Sequence, residues 1–256
     1  MLEVFLATAY AVVVWWISTG VILYLDGLPR RTFRWSVLGA TVMGLVGLGA
    51  LIATRGQATA ASAYIAFTCA VLIWGWHELT FLTGSITGPR KHGCAPGCRG
   101  RPHFWHAVQA ILHHELALLG AALLIAAICW RQPNQTGLWT FLLLYVLRLS
   151  AKLNLYLGVR TSGAEFLPAH LKYLATYFGE RRFNALLPVS AAASVGLAWY
   201  LLLAGFDVSA SPFVETRNYL LFGLTVLGVL EHAFFVMPMP ATGLWGWSLR
   251  SRESLP

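Results

Sequence analysis

Residues 70–82 read Ala70-Val-Leu-Ile-Trp-Gly-Trp-His77-Glu78-Leu-Thr-Phe-Leu82, an apolar run that contains an adjacent histidine and glutamate. The run is apolar enough for a lipid bilayer, where a charged side chain costs about 2.5–3.5 kcal/mol or more. A charge at that depth therefore faces protein or water and has a partner. Two other apolar segments carry similar groups, His113-His114-Glu115 and Glu231-His232. These stretches predict a membrane protein with polar groups inside its helix bundle.

The composition excludes an ordinary soluble domain. The 256 residues are 57% hydrophobic and 11% charged, whereas soluble domains have about 25% charged residues. We therefore predict an all-α, polytopic integral membrane protein with a single transmembrane domain. The net charge of +8 would suggest nucleic acid in a soluble protein. Here the basic residues lie in short loops between apolar segments, so we expect a lipid bilayer and no nucleic acid as partner.

Seven segments are long enough to span a membrane, since a spanning helix needs about 20 mostly apolar residues. The first of them lacks the basic start of a signal peptide, and we interpret it as a retained helix. The predicted spans are 2–24, 35–53, 62–82, 105–129, 138–158, 185–205 and 218–238.

The loops predict the orientation of these helices. Thirteen Lys and Arg residues fall in the first, third and fifth loops and the C-terminal tail, and only three fall in the other loops. Because cytoplasmic loops carry the excess of basic residues, the N-terminus is predicted to be periplasmic and the C-terminus cytoplasmic. In the fifth loop, residues 165–178 have aromatic and apolar residues at helical spacing, which predicts an interfacial helix with that face toward the acyl chains.

The predicted topology gives the intramembrane polar groups a common depth, in the cytoplasmic half of the third, fourth, fifth and seventh helices. Such agreement predicts a polar chamber that opens toward the cytoplasm. Its members are His77, Glu78, His113, His114, Glu115, Arg148, Lys152, Asn154, Glu231 and His232.

Three interpretations of this cluster remain open. It can be an ion-pair network that stabilises helix packing. It can bind a tetrapyrrole, with His77, His113, His114 or His232 as ligand to magnesium or iron. It can also be a non-haem metal centre, although the chain lacks the Glu-x-x-His pairs of di-iron bundles. Adjacent helical residues such as His77 and Glu78 point about 100° apart, and nearby cations would repel a metal ion.

The third loop offers a separate metal site. His92, Cys94, Cys98 and His103 could hold a tetrahedral zinc ion. The Cys-x-x-x-Cys spacing lies at one end of the known range, so a flexible basic loop with free thiols near anionic lipid is the favoured interpretation. The other two cysteines, Cys69 and Cys129, lie in apolar segments and are expected to be core residues.

Four motifs together resemble the photosynthetic complex assembly protein family (puhE-type) of phototrophic proteobacteria. They are Trp76-His77-Glu78-Leu-Thr-Phe-Leu-Thr-Gly84-Ser-Ile-Thr-Gly-Pro89-Arg90, His114-Glu115-Leu-Ala-Leu, Arg148-Leu-Ser-Ala-Lys152-Leu-Asn154-Leu-Tyr-Leu-Gly158-Val and Glu165-Phe-Leu-Pro168-Ala-His170-Leu-Lys-Tyr173-Leu.

The resemblance implies a multi-pass protein of the bacterial inner (cytoplasmic or intracytoplasmic) membrane. Its implied function is to support assembly of the photosynthetic reaction centre and its light-harvesting partner and to influence the supply of bacteriochlorophyll. The implied partners are reaction-centre or light-harvesting subunits, and the resemblance brings no catalytic residue with it. We therefore expect a non-enzymatic assembly factor that handles bacteriochlorophyll or another tetrapyrrole. The alternative is a membrane metalloenzyme, with non-haem iron or haem, of tetrapyrrole or quinone metabolism.

Overall fold

The computed structural model describes residues 1–237 and 241–253, which form helices and connecting loops without a β-strand. Seven of the helices are long and apolar enough to cross a membrane, which confirms the predicted all-helical, seven-span fold class. The orientation of the termini stays a prediction. The α-helices are α1 (Leu2–Asp26), α2 (Phe33–Thr54), α3 (Ala60–Leu82), α4 (Gly100–Cys129), α5 (Thr136–Leu157), α6 (Leu186–Gly205), α7 (Pro212–Phe234) and α8 (Gly246–Glu253).

Two of the spanning helices begin well before their predicted starts. α4 begins at Gly100 and not at residue 105, and α7 begins at Pro212 and not at residue 218. In α7, the Ser211 hydroxyl accepts the Val214 N–H (3.4 Å) and proline occupies the first turn. These are ordinary helix-start signals, but the polar first turns lie outside the apolar runs that defined the prediction. Residue 238, the predicted end of the seventh span, lies outside the described residues.

α3 and α7 form the centre of the bundle. In their most apolar stretches, 61% and 56% of the residues are buried inside the protein, against 17–28% in the other five spanning helices. Small residues allow the close packing, as is usual between membrane helices. At Gly223 of α7, an added Cβ would lie 3.0 Å from the carbonyl oxygen of Thr8 and 3.1 Å from the Cβ of Ala11 on α1.

The loop after α3 is wedged against α4. The backbone N–H of His114 donates to the carbonyl of Thr87 (2.9 Å), and the N–H of Arg90 donates to the carbonyl of Gln109 (3.4 Å). Between these contacts, a Cβ at Gly88 would clash with the α4 backbone at Gln109 and its neighbour. Because only glycine permits this approach, the loop fixes the level of His114 relative to α3.

The segment predicted as an interfacial helix differs from expectation. It consists of two 3₁₀ helices, Ala164–Phe166 and Ala169–Tyr177, and its apolar side packs on protein. Tyr177 is 5% exposed and shares a small core with Phe81 of α3 and Ala110 of α4. The predicted contact of this face with acyl chains is therefore wrong at Tyr177, since the ends of α3 and α4 cover it.

The helix α8 was not predicted, because it lies in the polar C-terminal tail. It packs on α1, where the Trp247 indole covers Gly20. The preceding turn is held by two indole hydrogen bonds, from Trp16 to the Leu244 carbonyl (3.1 Å) and from Trp245 to the Trp16 carbonyl (3.2 Å).

Candidate functional site

One arginine on α5 joins three helices. The Arg148 guanidinium on α5 donates to the Glu231 carboxylate on α7 (3.2 Å) and lies 3.7 Å from the Glu78 carboxylate on α3. The Glu78 side chain is only 11% exposed, whereas those of Arg148 and Glu231 are 42% and 32% exposed. The ion pairs therefore run from the interior of the bundle to its surface.

A second ion pair lies one turn further along α5. The Lys152 ammonium donates to the Glu115 carboxylate on α4 at 2.5 Å. Residues four apart on a helix share a face, so α5 directs both of its cations at carboxylates of its neighbours. Two cations thus pair with three carboxylates of α3, α4 and α7, and the cluster keeps one formal negative charge.

Two histidines are buried beside these ion pairs. His114 is 1% exposed, its Nε2 lies 3.9 Å from a Glu78 oxygen, and its ring packs against Phe81. His77 is 4% exposed, and its ring packs against Trp76 and Phe141. In the part of the chain that the structure describes, three ring nitrogens lack a hydrogen-bond partner: both nitrogens of His114 and the Nδ1 of His77.

The remaining buried members of the predicted cluster have structural partners. His232 Nδ1 donates to the Gly228 carbonyl (2.7 Å), because a carbonyl can only accept, and its Nε2 lies 3.0 Å from the Ser150 hydroxyl. Asn154 donates to the Ser150 carbonyl (3.0 Å) and to the Ser190 hydroxyl of α6 (3.1 Å). Both ring nitrogens of His232 are therefore occupied, so this histidine is not available as a ligand.

His113 lies apart from the cluster. It is exposed on the outer surface of α4, on a stripe that also contains exposed Leu116, Gly120 and Leu124. The structure thus separates adjacent histidines, because residues one apart on a helix point about 100° apart. His114 faces the bundle and His113 faces outward.

The arrangement does not favour a catalytic metal at the cluster. Glu78, Glu115 and Glu231 already contact a cation, and a metal ion would have to displace Arg148 or Lys152. Among residues 1–237 and 241–253, one group of three metal-ligating side chains converges, and it lies at the third loop, outside this cluster. Two surface cavities of about 500 and 340 Å³ lie elsewhere and include none of its members. The cluster is a packed group of charges that is accessible on the Arg148 and Glu231 side.

The place where ligand atoms converge is the third loop. Cys94, Cys98 and His106 bring their ligand atoms within 4.8 Å of one another, and His103 Nδ1 lies 3.3 Å from the Cys94 Sγ. A hydrogen bond with Cys94 raises the pKa of the Cys98 thiol. His92, which the sequence suggested as a ligand, is exposed and has its Nδ1 3.2 Å from the Gly93 carbonyl. His106 was missed because the predicted fourth span, 105–129, placed it inside the membrane, whereas α4 begins at Gly100 and His106 lies in its second turn.

Comparison with known proteins gives two matches. The sequence matches, over residues 1–255, a family described as "Protein of unknown function (DUF3623)". It is also 37% identical, over 244 residues, to a protein of Rhodobacter capsulatus described as "Uncharacterized 30.4 kDa protein in puhA 5'region". That alignment covers 94% of this chain and 89% of the Rhodobacter protein. No solved structure matches.

Proposed function

The chain belongs to the DUF3623 family, and from this premise we propose that it supports assembly of the photosynthetic reaction centre and its light-harvesting partner. It does so by holding bacteriochlorophyll or a precursor in the bacterial inner membrane. The relative is encoded in the region 5' of puhA, part of a photosynthesis gene cluster, and this genomic position supports a role in photosynthesis. The four motifs that resemble the puhE-type assembly family support the more specific role.

The observation that carries the pigment role is the pairing of the intramembrane charges. Because Glu78, Glu231 and Glu115 each already contact Arg148 or Lys152, the imidazoles are the ligands that remain. A tetrapyrrole magnesium ion needs one neutral axial ligand, which an imidazole nitrogen provides. Metal catalysis would instead require carboxylates that are free of cations, so the geometry favours pigment handling over the metalloenzyme alternative.

The four candidate histidines differ in whether a pigment in the bilayer can reach them. His77 and His114 are buried between packed helices, where a flat macrocycle has no room, and His232 has both nitrogens occupied. His113 is exposed on an apolar stripe of α4, and the macrocycle can lie there among acyl chains. We assign His113 as the axial ligand to a pigment that approaches from the bilayer.

The ion pairs then act as a scaffold for this surface. Lys152 holds α4 to α5 through Glu115, and Glu115 lies two residues beyond His113. Arg148 holds α5 to α3 and α7. This network keeps the outer face of α4 in a fixed position toward the bilayer, where apoprotein helices of reaction-centre or light-harvesting subunits can receive the pigment.

Complementation of a deletion in a phototrophic bacterium tests the proposal. The strain carries the wild-type gene, His113→Leu or the control His92→Ala, which removes an exposed histidine of the third loop. We expect wild-type and His92→Ala cells to restore the near-infrared absorbance of the pigment complexes, and His113→Leu cells to fail at equal protein level in the membrane. Full restoration by His113→Leu would contradict the assignment.

A further inference from the structure

The third loop and the first turns of α4 bring two cysteines and two histidines together outside the apolar part of the bundle. The His106 Nδ1 lies 3.5 Å from the Cys94 Sγ and 3.4 Å from the Cys98 Sγ. The His103 Nδ1 lies 3.3 Å from the Cys94 Sγ. We propose that Cys94, Cys98, His103 and His106 form a structural zinc site, which is independent of the pigment role.

Cys94, Cys98 and His106 bring their ligand atoms within 4.8 Å of one another, and His103 joins them through Cys94. Three of the ligand-to-ligand distances are close to those of tetrahedral zinc. With Zn–S bonds of about 2.3 Å and Zn–N bonds of about 2.0–2.1 Å, tetrahedral angles place sulfur and nitrogen ligands about 3.6 Å apart. The three S···N distances, 3.3, 3.4 and 3.5 Å, lie just below that value. Four protein ligands of the S₂N₂ type leave no open position, which is typical of structural and not of catalytic zinc.

Local sequence explains how the ligands converge. Gly97 and Gly100 have φ angles of +81° and +68°, which glycine adopts readily. Gly97 turns the chain just before Cys98, and Gly100 turns it again at the first residue of α4. His103 and His106 follow three residues apart on that helix, and such residues share a face. The cysteine loop therefore folds back over one face of the first two turns of α4.

Neighbouring groups hold the loop in this position. The Cys94 N–H donates to the Thr176 hydroxyl (2.9 Å). The Tyr177 hydroxyl accepts from Arg90 Nε (2.7 Å) and donates to the His92 carbonyl (2.8 Å). Tyr177 also packs against the His103 ring, with 5.9 Å between ring centroids. Such outer contacts orient metal ligands, and here they would link the zinc to the 3₁₀ helix Ala169–Tyr177.

Metal analysis of the full-length protein, purified in mild detergent without added chelator, tests the site. We expect about one zinc ion per chain in the wild type, and a loss of at least about tenfold in zinc affinity, measured by chelator competition, for Cys98→Ser and for His106→Ala. Two controls keep their zinc: His92→Ala, which removes the histidine that the loop exposes, and Cys129→Ala, which removes a buried cysteine of α4 far from the loop.

Cobalt substitution makes the test independent of folding defects in the variants. Wild-type protein reconstituted with Co²⁺ should show the visible absorption of a tetrahedral site with thiolate ligands, and zinc should displace it. Zinc retained by His106→Ala but lost by His92→Ala would overturn the ligand set. A Cys94–Cys98 disulfide in protein purified under alkylation, or wild-type protein that takes up neither Zn²⁺ nor Co²⁺, would overturn the site. None of these results depends on pigment.

Discussion

Arg148 on α5 and Glu231 on α7 are joined by a 3.2 Å hydrogen-bonded ion pair at the side of the bundle, and the same guanidinium lies 3.7 Å from the more deeply buried Glu78. The arginine thus connects the two central helices through α5. In a bilayer an unpaired charge is costly, so Arg148 offsets the charges of a buried carboxylate on α3 and a half-buried one on α7.

Arg148→Met should be strongly destabilising, because it leaves Glu78 buried without a cation. Breaking a buried pair costs about 3–5 kcal/mol, and the partial exposure of Arg148 reduces our expectation to about 2–3 kcal/mol. Thermal unfolding in detergent should show a clear fall in the Tm of Arg148→Met, and a smaller fall in the Tm of Arg148→Lys. The triple variant Arg148→Met, Glu78→Gln, Glu231→Gln should recover part of the loss. A Tm unchanged in Arg148→Met would contradict the role of the pair.

Glu115→Gln tests the second ion pair in cells. The substitution leaves the Lys152 ammonium, whose side chain is 20% exposed, without its carboxylate partner and loosens α4 from α5. We expect lower absorbance of the assembled pigment complexes in complemented cells than with His92→Ala, which touches no ion pair. Equal absorbance in the two strains would mean that the position of α4 does not depend on Lys152.

Ser150→Ala removes the partner of His232 Nε2. The ring is 1% exposed, and a buried nitrogen left without its hydrogen bond costs about 1–3 kcal/mol. The expected result is a lower Tm with the membrane level of the protein retained. The comparison is Ser36→Ala, whose hydroxyl makes only a 3.5 Å contact, with the carbonyl of Thr32 just before α2. If both variants melt at the wild-type temperature, the hydroxyl contributes nothing to the position of His232.

Gly88→Ala tests the wedge between the loop and α4. A methyl group there meets the backbone of Gln109 and Ala110, and backbone atoms cannot move aside as a flexible side chain can. Overpacking of this kind costs about 1–3 kcal/mol. Gly49→Ala is the matched control, since nothing lies within 4 Å of its added Cβ. Destabilisation by Gly88→Ala alone is the expected result, and equal stability of the two variants would contradict the close approach.

The sequence predicts the seven spans because hydropathy and length suffice for that purpose. It also places Glu78, Arg148 and Glu231 at one depth, which follows from the topology. The sequence does not predict which side chains contact each other, because the rotation of each helix about its own axis depends on packing with its neighbours. For this reason the sequence treats His113 and His114 alike, whereas the structure turns one outward and the other inward.

Other differences have equally definite causes. His106 escaped notice as a metal ligand because the apolarity criterion placed it inside the predicted fourth span, whereas α4 begins at Gly100 and His106 lies in its second turn, beside the loop. Residues 169–177 have the aromatic spacing of an interfacial helix, but Leu171, Leu174 and Tyr177 are buried on protein. Spacing shows that a segment has an apolar side, and only the tertiary structure shows what covers that side.

The most direct test of the pigment role is the magnesium content of the protein, measured together with its absorption spectrum after mild purification from a pigment-producing membrane. We predict magnesium near one ion per chain with the spectrum of bound bacteriochlorophyll or a precursor, and the loss of both signals in His113→Leu while zinc is retained. Wild-type protein that carries neither magnesium nor pigment, or a His113→Leu variant that carries as much of both as the wild type, would contradict the account.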